Sequence, residues 1–270
     1  MAAAIADRAD SVSLAPIPAA LLEHPAFAPY REYLPTLEAS SAADCAPSTG
    51  VIPRLVAPPV RAAGAMEFER RIVEQNELIV RPNNLHDTVN ALVWHAFPKT
   101  KRAISEAHVA LGAAATANGR PRRRDILTLF DEAGALIISQ RSDLRALHEA
   151  HEWKRLFVEH RAHFIRDCRV ILFGHGTLEQ LASNPHRGLT VKALWLRLAA
   201  GTVIEEIDAH LASGVAGDEL LADNERRLAL PILGVPRWFT ENESPRCYED
   251  VDVFRPMRSI ATQEIGRAHV

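Results

Sequence analysis

"NNLHDTVNALVWHAFPKTK", residues 83–101, decides how the fold is read. At about 100° per residue, Leu85, Val89, Leu92, Val93 and Ala96 fall on one side, so the run is a helix with a single apolar stripe. His86, Asn90 and Phe97 share one shoulder of that stripe, with Asp87 and Trp94 just beyond it. Thr88 and His95 are assigned to the opposite, more exposed side. Asn84 is the expected N-cap, and Asp87 at the third helical position returns a hydrogen bond and favours the positive helix end. Pro98 then forces a kink or a fresh start. "KTKRAISEAHVALG" continues as a second helix ending at Gly112, with His108 on its apolar stripe.

Working outward, "EFERRI" and "ELIVR" alternate apolar and polar residues around "VEQN", which predicts paired strands leading into the helix. "DILTLFDEAGALIISQ" reads as a hairpin, two β-branched runs around Asp131-Glu132-Ala133-Gly134, with Gly134 supplying a positive φ. Ser142 is expected to cap a helix running through "DLRALHEAHEWKRLFVEHRAHFI", broken once. "CRVILFGHG" is an apolar strand ending in two glycines. "TVIEEIDAHLASG" has a helical stripe with Gly214 as its stop, and "LPILGVPRWFTENESPRCYEDVDVFRP" is an irregular, packed extension. The expected fold is α+β: one mixed domain of helices around short, largely antiparallel strands with long irregular connections. Residues 1–22 read as a mobile arm, 23–65 as a Pro/Ala-rich wrapping segment, 66–258 as the core domain and 259–270 as a tail.

A chain of 270 residues with 47% hydrophobic content is long enough to bury a sizeable core. Its formal net charge of -3, from 31 Lys plus Arg against 34 Asp plus Glu, gives no global pull toward nucleic acid or an anionic membrane. Any anion site must therefore be local. Cys45, Cys168 and Cys247 form no CxxC pair, which fits a reducing compartment. Asp7, Arg8 and Asp10 interrupt the apolar core that a signal peptide needs, and no apolar run is long enough for a membrane span. The expectation is a soluble cytoplasmic protein with no membrane partner.

The chemistry gathers on two histidines. His86, in the first turn of its helix, feels the positive end of the dipole, which disfavours protonation and leaves a ring able to accept a proton or bind a metal. Asn90, one turn later, is placed to orient that ring or a ligand. His175 leaves a strand end between two glycines, where a side chain can project into a cleft. The catalytic candidates are His86, Asp87, Asn90 and His175; the candidates for a divalent metal are His86, His175 and Asp131, and Asp131 with Glu132, ordinarily solvated turn carboxylates, would ligate it if their turn folds toward His86. Arg81 and the cluster Arg122, Arg123 and Arg124 are the candidates for holding an anionic group, a small molecule or nucleic acid. His86, Asn90 and His175 are expected around one partly open cleft with Arg81 at its edge. "HEAHE" at 148–152 is one residue short of HExxH, and there is no GxSxG, so neither a zinc-protease helix nor a serine elbow is indicated.

These residues also resemble the DUF3025 family, a bacterial domain of unknown function. The resemblance rests on Arg81, Asn83, Asn84, His86, Asp87, Asn90 to Trp94, Phe97, Pro98 and Lys99 to Lys101, followed in order by "DEAG", "FGHG" with "GLTVKAL", "LPILGVPRW" with "EN", and "VFRP". It spans residues 67–258. The chain departs from the family pattern at Leu85, where Trp is usual, at Arg237, where Gly is usual, and at Cys247, where Phe is usual. The resemblance brings motif positions but no reaction. Two functional classes follow from the residues: a hydrolase-like enzyme acting on an anionic, phosphate-containing substrate, or a binding or scaffold protein whose polar cluster only holds the fold.

Overall fold

The computed structural model describes residues 12–42, 51–59, 64–113, 122–183, 188–217 and 227–257. The chain opens with α1 (Ala19–Glu23), a 3-10 stretch (Pro25–Tyr33) and α2 (Leu34–Ser40), followed by β1 (Arg54–Val56) and α3 (Ala65–Arg70). A π-helical turn (Arg71–Gln75) leads to β2 (Glu77–Ile79), then α4 (Leu85–Ala96), α5 (Pro98–Ala113) and α6 (Arg122–Ala133), which runs directly into β3 (Gly134–Ile138). Next come α7 (Ser142–Glu149), α8 (Arg161–Asp167), β4 (Arg169–Leu172), α9 (His175–Ser183), β5 (Thr190–Leu196), α10 (Ile204–Ala216) and β6 (Arg227–Pro231). The fold is a single α+β domain.

The strands form a mixed four-stranded sheet of order β4-β3-β5-β6 and a separate parallel pair, β1-β2. β3 is antiparallel to β4 and parallel to β5, and β5 is antiparallel to β6. All five residues of β3 are buried, as a strand covered on both faces should be. α4 packs on α9, α9 on α6, and α5 on α10, so the helices that matter for the site meet beside the sheet.

The opening stretch folds largely as read. Asn84 Oδ1 accepts the Asp87 N–H at 2.9 Å, and Pro98 restarts the helix as α5, whose first amides are capped across space by Asp208 of α10. Two assignments fail. Thr88 and His95 are buried, because α4 is enclosed by neighbours on nearly every side. The Asp87 carboxylate accepts from the backbone N–H of Arg81 rather than closing a box on Asn84.

Elsewhere the structure corrects several sequence readings. "EFERRI" is helix, not strand: its Glu and Arg side chains lose little rotamer freedom in a helix, and Phe68 with Ile72 makes an i,i+4 apolar pair against the core. "DILTLFDEAG" is no hairpin either. Ile126, Leu127 and Phe130 form the buried side of α6, and Gly134 begins β3. The run after Ser142 breaks twice, with His151 at φ 55° and a π-helical turn (Arg155–Glu159), and the N-cap position is Arg141. Gly214 is buried inside α10, which ends at Ala216 with Gly217 at the C-cap.

The arm expected over residues 1–22 packs from Val12 onward. Val12 and Leu21 join the core, the Val12 amide donates to the Ser41 carbonyl at 3.2 Å, and the Ala15 amide donates to Thr88 Oγ1 at 2.9 Å. Part of the proline-rich segment is core as well, since Phe27, Tyr30 and Leu37 are buried. Residues 1–11 and 259–270 lie outside the described residues.

Candidate functional site

The site assembles where the amino end of α4, the carboxyl end of α6 and the amino end of α9 converge. The glycines of "FGHG" make that convergence sterically possible. A Cβ on Gly174 would lie 2.5 Å from the Ala133 amide nitrogen, and one on Gly176 would lie 2.6 Å from Glu132 Oε2. Gly174 must be Gly for α9 to start against the backbone of the last turn of α6, whereas a side chain at Gly176 would displace the Glu132 carboxylate and crowd the Glu132 carbonyl oxygen at 3.1 Å. The sequence reading assigned these glycines to projecting the histidine; their observed role is close approach.

His86 and His175 meet with ring centroids 4.6 Å apart and their Nε2 atoms 3.1 Å apart. Each ring is held from behind. His175 Nδ1 donates to the Asp131 carbonyl oxygen at 2.8 Å, and His86 Nδ1 donates to Glu179 Oε2 at 2.8 Å. A carbonyl can only accept, so the His175 proton is fixed on Nδ1 and the lone pair on Nε2. The Glu179 carboxylate orients the His86 ring through Nδ1, so that its Nε2 faces His175. Glu132 Oε1 lies 3.6 Å from His175 Nε2, and His86, Glu132 and His175 each bring one ligand-type atom within 4.8 Å of the others.

Electrostatics separate the members. Burial, reinforced by the Lys101 charge, pushes the His175 imidazole down to about 3, so this ring stays a neutral acceptor. Burial alone would raise the Asp131 carboxyl. The Lys101 ammonium, 2.5 Å away and itself almost fully buried, instead holds it below the usual carboxylate range. Burial raises the Glu132 carboxyl, and Asp131 and Glu179 add to that. The Glu69 carboxyl is also raised by burial, against the pull of its Ser105 hydrogen bond.

These groups border an open cavity of about 640 Å³. Asn90 lines it, with a buried Oδ1 that has no hydrogen-bond partner, as does Arg124, whose buried Nε has none. His108, Thr128 and Glu69 complete the far side. Arg81 and Asp87 stand at the margin locked to each other: Asp87 accepts from Arg81 Nε at 2.8 Å and Nη2 at 2.7 Å. Both named groups are therefore committed to a salt bridge that anchors the first turn of α4.

Of the proposed anion-binding cluster, only Arg124 has a side chain seen on the cavity. Arg123 turns away and donates to the Val215 carbonyl at 2.9 Å, and the side chain of Arg122 lies outside the described residues. Asp131 reaches His175 through its backbone carbonyl, and its carboxylate belongs to Lys101, so Glu132 replaces it in the ligand set. Glu132 is legible in the sequence only beside Asp131, as a ligand if that turn folds toward His86; Glu179 and Glu69 were not singled out. Glu179 carries a usable signal, four residues after His175 on one helix; Glu69 was hidden by the strand reading of "EFERRI".

The fold and site define an α+β domain with a histidine pair and a glutamate on the wall of an open polar cavity. The model of the family described as "Protein of unknown function (DUF3025)" matches residues 54–258, and the chain belongs to that family. No curated protein and no solved structure matches the chain. Among the described residues, no helix is long and apolar enough to cross a membrane.

Proposed function

We propose that the protein is a hydrolase-like enzyme that takes an anionic, phosphate-containing small molecule into the cavity beside His86 and His175. The observation that carries this reading is that two imidazoles meet Nε2 to Nε2 on the wall of one open cavity, each held on Nδ1 by a second partner behind it. An acceptor preset in this way can take a proton from an attacking water, and Arg124, with its unpartnered Nε, supplies positive charge for the anionic group. The concave site favours a small molecule over a nucleic-acid surface. A bacterial, cytoplasmic setting goes with this reading, supported by the family resemblance and by the free thiol of Cys168.

One observation favours the second reading, a non-catalytic binding or scaffold role. Two ion pairs at the site, Arg81–Asp87 and Lys101–Asp131, are closed upon themselves and tie elements together. The two readings part on turnover. Purified protein assayed on phosphomonoesters, phosphodiesters and nucleotides is expected to hydrolyse one class, with His175→Ala and Arg124→Ala each lowering the rate about 100-fold or more. Absence of turnover across all three classes would leave the scaffold reading standing, and turnover untouched by His175→Ala would remove that histidine from the reaction.

A further inference from the structure

We infer that His86 Nε2, His175 Nε2 and the Glu132 carboxylate form a binding site for one first-row divalent cation of the zinc class, with Glu179 and the Asp131 carbonyl as its outer supports. The inference deepens the hydrolytic reading and rests on the same cavity, but it stands on a separate observation. Two lone-pair nitrogens 3.1 Å apart repel each other unless something positive lies between them. A proton would satisfy only the two rings. A cation at about 2.0–2.1 Å from each nitrogen sets them about 2.8–3.4 Å apart, for octahedral to tetrahedral angles, a range that includes the spacing seen.

The rest of the arrangement fits a cation better than a shared proton. Glu132, 3.6 Å from His175 Nε2, supplies a third ligand that a proton would not use. Both rings are backed on Nδ1 by an oxygen acceptor, the pattern that orients metal-bound imidazoles and raises their donor strength. With Asp87 paired to Arg81 and Asp131 to Lys101, the cavity wall is left with the carboxyls of Glu69 and Glu132 against the guanidinium of Arg124. That excess of acidic groups draws in a cation before any anion can follow. Two imidazoles with one carboxylate select a borderline metal over Mg²⁺ or Ca²⁺, which prefer all-oxygen sites, and leave coordination positions open toward the cavity.

The test uses the full chain, treated with chelator and then titrated with Zn²⁺ by calorimetry and with Co²⁺ by visible absorption. One equivalent of each is expected to bind, with the Co²⁺ spectrum showing low-symmetry coordination that includes nitrogen. His86→Ala and His175→Ala should each weaken binding more than 100-fold. Glu132→Gln and Glu179→Gln, at partly exposed positions where folding is not at stake, should weaken it about 10- to 100-fold. No saturable binding of either cation, or unchanged affinity in both glutamine variants, overturns the inference. Metal bound without turnover removes the hydrolytic reading and leaves the site; turnover in chelated protein removes the metal and leaves the hydrolysis.

Discussion

Two buried histidines, His148 and His175, share nearly everything except their outcome. Burial lowers both imidazoles, to about 4 and about 3, and both sit beside the same sheet. His148 is fully buried and uses both nitrogens within the protein: Nε2 donates to the Ala229 carbonyl at 2.9 Å, and Nδ1 accepts from Trp195 Nε1 at 2.9 Å. His175 is anchored on Nδ1 alone and turns Nε2 toward His86 and the cavity. A depressed pKa marks burial in either case. What separates a strut from a candidate site is the ring atom left over after the fold has taken its share.

The comparison can be broken most forcefully through Asp131, which the structure places behind the open histidine. Asp131→Ala leaves the Lys101 ammonium buried and unpaired, and denaturant melts are expected to show a loss of about 3–5 kcal/mol. Because His175 uses the Asp131 backbone carbonyl, the folded variant should still bind Zn²⁺ within a few-fold of the parent. Loss of Zn²⁺ in a variant of unchanged stability would make Asp131 a ligand and Glu132 a bystander.

Next in size is the acid sensitivity of the sealed histidine. The His148 pKa is lower folded than unfolded, so the unfolded chain binds the proton more readily. The stability of the neutral ring is then complete above about pH 6.5 and eroded as pH falls toward 4. Denaturation at pH 7 and pH 5 should show His148 accounting for about 2 kcal/mol of the difference. His148→Gln, which keeps one donor and one acceptor, should flatten that dependence without changing Zn²⁺ affinity. An identical pH dependence in the variant would show that the ring is not held neutral.

His95 sharpens the contrast from the other side. It is buried on α4 with neither ring nitrogen hydrogen-bonded, and burial lowers it to about 4. His95→Leu should therefore stabilise the protein by about 1–2 kcal/mol at neutral pH, read from the thermal midpoint. Destabilisation would reveal a partner for that ring. The smallest change touches neither histidine region and sets the scale for the others. Arg237 has φ 70°, in the left-handed region, at the position where the family resemblance leads one to expect Gly. Arg237→Gly should add about 1 kcal/mol by removing the Cβ penalty. A neutral or negative result would mean that the arginine side chain offsets its own strain.

What could be read in advance follows the range of the interaction responsible. The Asn84 cap, the Asp87 position and the Pro98 break act within one helical turn, and each was legible residue by residue. The strand and helix readings of "EFERRI" and of the "DEAG" region failed where short apolar runs fit both periods and tertiary packing chose between them. Within the site, His86 and His175 were visible as residue types in unusual local settings. Glu132 was legible only conditionally, as a turn carboxylate that would ligate if the fold brought it to His86, and Glu179 had no signal beyond its spacing of four residues from His175.

The sequence by itself determined that residues 85–96 are a capped helix carrying His86 and Asn90 on one shoulder, that Pro98 begins another, and that His175 follows a strand through glycines. Only the tertiary structure decided that the two histidines face each other. His86 and His175 lie 89 residues apart, and their 3.1 Å approach depends on α9 starting so close to the backbone of α6 that no side chain fits at Gly174. That closeness is a property of three packed helices rather than of any local run. The burial that sets the His175 pKa and the tautomer that aims its lone pair come from neighbours supplied by other parts of the chain.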